Sequence, residues 1–77
     1  FEISTGKGVR IALIDSGVDY NHPLLVENID LKNARSYIPG DGSVADTNGH
    51  GTMVAGVLKQ ISPNSIITPY RVKITLS

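Results

Sequence analysis

The chain has 77 residues, with seven basic and seven acidic side chains and no cysteine. A domain of this length buries only about 60 to 65% of the surface its unfolded chain exposes, so stability is expected to be marginal and a disulfide staple is excluded. The balanced, interspersed charges argue against nucleic-acid or membrane-surface binding. No apolar run reaches the length of a membrane span, and the opening FEISTGKGVR carries no hydrophobic stretch of the signal-peptide kind.

Residues 9–14, VRIALI, form a nearly continuous apolar run bounded by Gly8 and by Asp15-Ser16-Gly17. This pattern predicts a strand buried on both faces of a parallel sheet. Residues 16–31 turn polar, and Pro23 forces a turn or extended backbone on His22, so a loop with at most one short turn is expected. Residues 34–38, ARSYI, predict a short strand ended by Pro39-Gly40-Asp41-Gly42. In residues 51–61, Val54, Val57, Leu58 and Ile61 share one helical stripe and Pro63 follows, which predicts a helix of about three turns. Residues 66–76 are again rich in β-branched side chains, but Pro69 lacks a ladder donor, so pairing is expected to be partial or to begin after it.

Strand, loop, strand, loop, helix, strand is the opening of an α/β fold. The expected architecture is a partial doubly wound parallel sheet with one crossover helix. One helix cannot cover both faces of three apolar strands, so an uncovered apolar face and an open sheet edge are expected as well.

Asp15 follows the first strand, at the carboxyl end where open α/β sheets hold their functional crevices. Alone, an aspartate ahead of Ser-Gly is more often a turn former or a cap. His50 stands at the predicted helix start between two glycines, where a structural histidine is the plainer reading, and His22 before Pro23 is read as structural too. Together the two residues say more than either alone. A strand-end carboxylate and a helix-start imidazole joined by a crossover can meet on one rim of the sheet, so Asp15 is expected to accept the Nδ1 proton of His50 and to orient a general base. A metal centre of His22, His50 and Asp15 has suitable ligand types but no close-spaced ligand pair, and none is expected.

The run IALIDSGVD at residues 11–19, then His22-Pro23, then NGHGT at residues 48–52 with Val54-Ala55-Gly56, resembles the first two catalytic blocks of subtilisin-like serine peptidases. Thr5-Gly6-Lys7-Gly8-Val9 and Ser62-Pro63-Asn64 extend the resemblance through almost the whole chain. It implies that Asp15 is the orienting carboxylate and His50 the general base and acid of an Asp-His-Ser triad. Asp46 and Asn48 match the polar approach to the histidine, with a supporting role. The implied function is a serine endopeptidase acting on peptides or proteins by acyl transfer, with no cofactor, secreted or at the cell surface.

The departures define what else is expected. The family's Gly-Thr-Ser-Met-Ala type block has no counterpart: Ser4, Ser16, Ser36, Ser43, Ser62, Ser65 and Ser77 all lie in other contexts, and the oxyanion asparagine is absent too. Residues 1–77 are therefore expected to be the N-terminal segment of a subtilisin-like peptidase domain, inactive alone, whose partner is the remainder of the domain carrying the serine. Leu24 follows His22-Pro23 where calcium-stabilised relatives carry a carboxylate, and a ligand loop is missing between Gln60 and Ile61, so no calcium is expected. Met53 stands where many relatives carry a second histidine, and is read as a pocket wall or as packing. A rival from another class is a non-catalytic remnant or docking segment that binds a partner protein through its exposed apolar face.

Overall fold

Three strands and one helix form within residues 8–74, the part of the chain that the computed structural model describes. In chain order they are β1 (Arg10–Asp15), β2 (Arg35–Ser36), α1 (His50–Ile61) and β3 (Ile66–Arg71). The sheet is wholly parallel with order β1-β3-β2, which makes β3 central although it comes last in the chain. Arg10 pairs with Ile66 and Asp15 with Arg71, so β1 and β3 run in register over six residues. This is the expected α/β arrangement with a partial parallel sheet.

Pro69 does not interrupt the ladder. It lies inside β3 opposite Leu13, and it is among the most deeply buried side chains. The alternation of backbone groups explains why. Ile67 N–H donates to Asn28 O, Ile67 O accepts from Asp30 N–H and Arg71 O accepts from Tyr37 N–H, so odd-numbered residues of β3 face the β2 side. Even-numbered Ile66 and the following Val72 donate instead to Val9 and Asp15 on the β1 side. The missing donor of Pro69 therefore faces residues 31–34, between the bridge at Ile29 and the start of β2, where no strand pairs. Proline fits a central strand here because that edge is open at this one position.

β1 alternates instead of being buried throughout. Leu13 and Asp15 are buried, whereas Arg10, Ala12 and Ile14 are exposed. Leu13 and Ile67 meet Val18, Leu25 and Ala55 in the core on the side covered by α1, with Tyr20, Ile29, Val54 and Leu58 packed against it. On the opposite face Ala12, Ile14, Tyr37, Tyr70 and Val72 line an open depression, and Ile14 is 68% exposed. The run of apolar residues in β1 thus belongs to a two-sided strand of which α1 covers one side.

The helix lies on the sheet by a narrower face than its stripe of large residues suggested. Gly51 and Ala55 are its buried residues, whereas Val57 is exposed. A methyl group built on Gly51 would lie 1.9 Å from Gly17 O, so small residues set how closely α1 approaches the turn after β1. The far end of α1 is tied down by Asn28, whose side-chain amide donates to Pro63 O and Ser65 O and accepts from Lys59 Nζ. Buried Arg71, at the end of β3, holds the loop before α1 by donating to Asp41 Oδ2 at 2.8 Å and to Ser43 O at 2.9 Å. The Arg71 hydrogen bond, helped by Ser43 N–H, keeps the Asp41 carboxyl below its usual range.

Candidate active site

β1 ends on Asp15, whose Oδ1 accepts the Ser16 N–H at 2.7 Å. The His50 ring faces the same carboxylate, with Nδ1 2.8 Å from Oδ1 and 2.9 Å from Oδ2. A carboxylate only accepts, so Nδ1 carries a proton in this contact, and the tautomer that it selects has Nε2 as its acceptor. Burial is unequal across the pair: the Asp15 side chain is 10% exposed and that of His50 50%. A shielded carboxylate thus stands behind an imidazole that is open on its other side, which suits an oriented base that must reach a substrate.

His50 is placed by the way α1 begins. Helix starts leave backbone N–H groups without intrahelical partners, and Gly49, the N-cap residue with φ 96°, has no side chain to serve them. Its φ lies in the left-handed region that favours glycine. Three other side chains take its place: Asn48 Oδ1 accepts from His50 N–H at 3.3 Å, Ser16 Oγ from Gly51 N–H at 2.9 Å and Asp46 Oδ2 from Thr52 N–H at 2.9 Å. The regular helical bonds then begin with Met53 N–H to Gly49 O.

Asp46 is the centre of this cap. Its Oδ1 accepts from Ser16 Oγ and from the N–H groups of Asn48 and Gly49, and its Oδ2 also accepts from Thr52 Oγ1 at 2.6 Å. Partial burial alone would raise its pKa, but the Thr52 hydroxyl and the three N–H groups outweigh that and hold the carboxyl well below the usual carboxylate range. The unfolded chain therefore takes up this proton first as the pH falls, and stability rises with pH across the interval. The contribution of Asp46 is complete above about pH 4 and is lost progressively below it. Acid unfolding of the intact protein, followed by circular dichroism, should show Asp46→Asn less stable near neutrality and flatter than wild type below about pH 4.

Of the residues singled out in the sequence, Asp15 and His50 come together, and Asp46 and Asn48 cap the helix that carries His50. His22 lies apart in the turn after β1, where its Nδ1 accepts the Leu24 N–H at 3.2 Å. Among the described residues no three His, Asp or Glu side chains cluster as a metal ion would require. Met53 is 60% exposed and lines a groove of about 380 Å³ with His22, Leu24 and Val57, so it is a groove wall and not core packing. Ser16 and Thr52 were not foreseen. Thr52 sits in the first turn of α1, six residues from Asp46, but Ser16 lies 30 residues from Asp46, and no local pattern links them.

Parallel strands, an aspartate at a strand's carboxyl end and a histidine opening the adjacent helix form an α/β scaffold that holds an imidazole against a shielded carboxylate. Residues 6–74 match the model of the Subtilase family, and the chain belongs to that family. It is 40% identical over 62 residues to subtilisin Savinase of Lederbergia lenta, covering 80% of this chain and 21% of that protein. To the minor extracellular protease Vpr of Bacillus subtilis (strain 168) it is 34% identical over 83 residues, covering 88% of this chain and 10% of that one. The crystal structure of a lanthipeptide protease superposes with a TM-score of 0.82 at 41% identity, over 94% of this chain and 22% of that one. The chain thus spans about a fifth or less of the length of each of these three proteins.

Proposed function

We propose that Asp15 and His50 are the orienting carboxylate and the general base of a serine endopeptidase, and that residues 1–77 are the N-terminal segment of its subtilisin-like domain. The observation that carries this reading is the hydrogen bond from His50 Nδ1 to both oxygens of a shielded Asp15. Nε2 takes the proton of a serine hydroxyl as its oxygen attacks the peptide carbonyl, and Asp15 stabilises the imidazolium that forms. The ring then passes that proton to the leaving amine, and a second round with water releases the acyl group. Asp46 and Asn48 support the reaction by fixing the start of α1.

The nucleophile is assigned to sequence outside this chain. Ser16, the serine adjoining the site, has its hydroxyl engaged with Asp46 and Gly51 N–H. The open face with Ile14 and Tyr37, the latter 64% exposed, supports docking of the serine-bearing part there. The word extracellular in the name of Vpr supports the same location for this protein. Among the described residues no helix is long and apolar enough to cross a membrane.

Cleavage of a fluorescently labelled unfolded protein by the intact protein tests this. Hydrolysis that His50→Ala abolishes supports the peptidase. The same hydrolysis rate in wild type and His50→Ala contradicts it, and with a stable complex formed through the open face would favour the non-catalytic docking segment instead.

A further inference from the structure

We propose that Ser16 and Thr52 are positioning residues that set the Asp15 to His50 contact, an inference that rests on the peptidase reading of that pair. Asp15 belongs to the end of β1 and His50 to the start of α1, 35 residues apart. Each of the two hydroxyls joins these segments while using both its donor and its acceptor capacity. Ser16 Oγ accepts from Gly51 N–H at 2.9 Å and donates to Asp46 Oδ1 at 2.9 Å. Thr52 Oγ1 accepts from Asp19 N–H at 2.9 Å and donates to Asp46 Oδ2. One carboxylate thus holds both hydroxyls, one on each oxygen, and the hydroxyls tie the turn after β1 to the start of α1, through Ser16 to Gly51 and through Asp19 to Thr52.

The position of the first bond makes it more than a cap. Ser16 adjoins Asp15 and Gly51 adjoins His50, so the bond from Gly51 N–H to Ser16 Oγ runs beside the bond from imidazole to carboxylate, one residue further along each segment. Ser16 also donates its own N–H to Asp15 Oδ1. A shift of the helix start against the turn therefore changes both together. Ser16 is 5% exposed, so water does not readily replace its hydroxyl. The imidazole meets the two carboxylate oxygens at 2.8 and 2.9 Å, a balance that a small displacement of the ring would break. Both substitutions that delete the hydroxyls are neutral in charge, so their effect on the pair is one of geometry.

The experiment uses the intact protein with Ser16→Ala and Thr52→Val, and with Ser16→Thr and Thr52→Ser as variants that keep the hydroxyl. The expected result is a fall in kcat of about 10- to 100-fold with KM nearly unchanged. The low-field proton resonance of His50 Nδ1 should move or broaden in the same two variants and return in the hydroxyl-keeping ones. A lower melting temperature with unaltered kcat and an unaltered Nδ1 resonance would overturn the inference, leaving both residues purely structural. If Ser16→Ala does not fold, Thr52→Val decides by the same criteria. Wild-type activity in His50→Ala would overturn the peptidase reading and the inference with it. An inactive His50→Ala beside a fully active Ser16→Ala and Thr52→Val would overturn the inference alone.

Discussion

Asp15→Asn is expected to lower kcat of the intact protein about 10⁴-fold with little change in KM. The substitution keeps shape and volume but replaces one acceptor oxygen by an amide donor. With the amide nitrogen turned toward the ring, Nδ1 becomes the acceptor, the proton moves to Nε2, and the atom facing the substrate is no longer a base. With the amide oxygen turned toward the ring the tautomer survives, but the negative charge that stabilises the imidazolium is gone. Either orientation removes an interaction made chiefly in the transition state, so the loss falls on kcat. Steady-state kinetics on a peptide substrate check this, and a rise in KM with kcat unchanged would contradict it.

The second large effect concerns a residue that touches no substrate. Gly51→Ala is expected to destabilise the protein by about 3 kcal/mol or more, because the new methyl would lie 1.9 Å from Gly17 O, a backbone atom, so that main chain must shift to make room. Gly17 is itself held closely, since a methyl there would meet Val44 O at 2.6 Å and Ala45 O at 2.9 Å. Relief would require α1 to withdraw from the turn after β1, carrying His50 from Asp15, so activity should fall with stability. Gly56 lies in the same helix with open space around it, and Gly56→Ala should raise stability by about 0.5 to 1 kcal/mol through helix propensity alone. Urea unfolding of the two variants side by side separates crowding from propensity.

Much of the fold was legible because its signals are local. The apolar run of β1, the spacing in α1 and the proline beyond it predicted both elements to within a residue or so. The misreadings share one cause, which is that the deciding partner lies far away in sequence. Pro69 was read as a break, yet which way its missing donor points depends on residues 31–34 leaving the sheet edge. Val57 was placed on the buried stripe, but the close approach of Gly51 to Gly17 turns Ala55 to the core and leaves Val57 outside. The uncovered apolar face was foreseen from having a single helix, but only the placement of α1 shows which alternate residues of β1 it covers.

The candidate site divides in the same way. Asp15 and His50 are paired by the sequence pattern itself, because a strand's carboxyl end and the start of a crossover helix can share one rim of the sheet. Asp46 and Asn48 stood close enough to His50 to be read with it. The hydroxyls of Ser16 and Thr52 left no such trace, since serine and threonine are common at turns and caps, and their link to Asp46 exists only once three segments converge.

A fluorophosphonate probe, which forms a covalent bond with a serine hydroxyl activated by a neighbouring base, addresses the central claim most directly. Incubated with the intact protein, it should label one serine, located by mass spectrometry outside residues 1–77, and His50→Ala should abolish the labelling. Equal labelling of wild type and His50→Ala, or no labelling of a well-folded wild-type protein, would contradict the assignment of Asp15 and His50 to a serine peptidase.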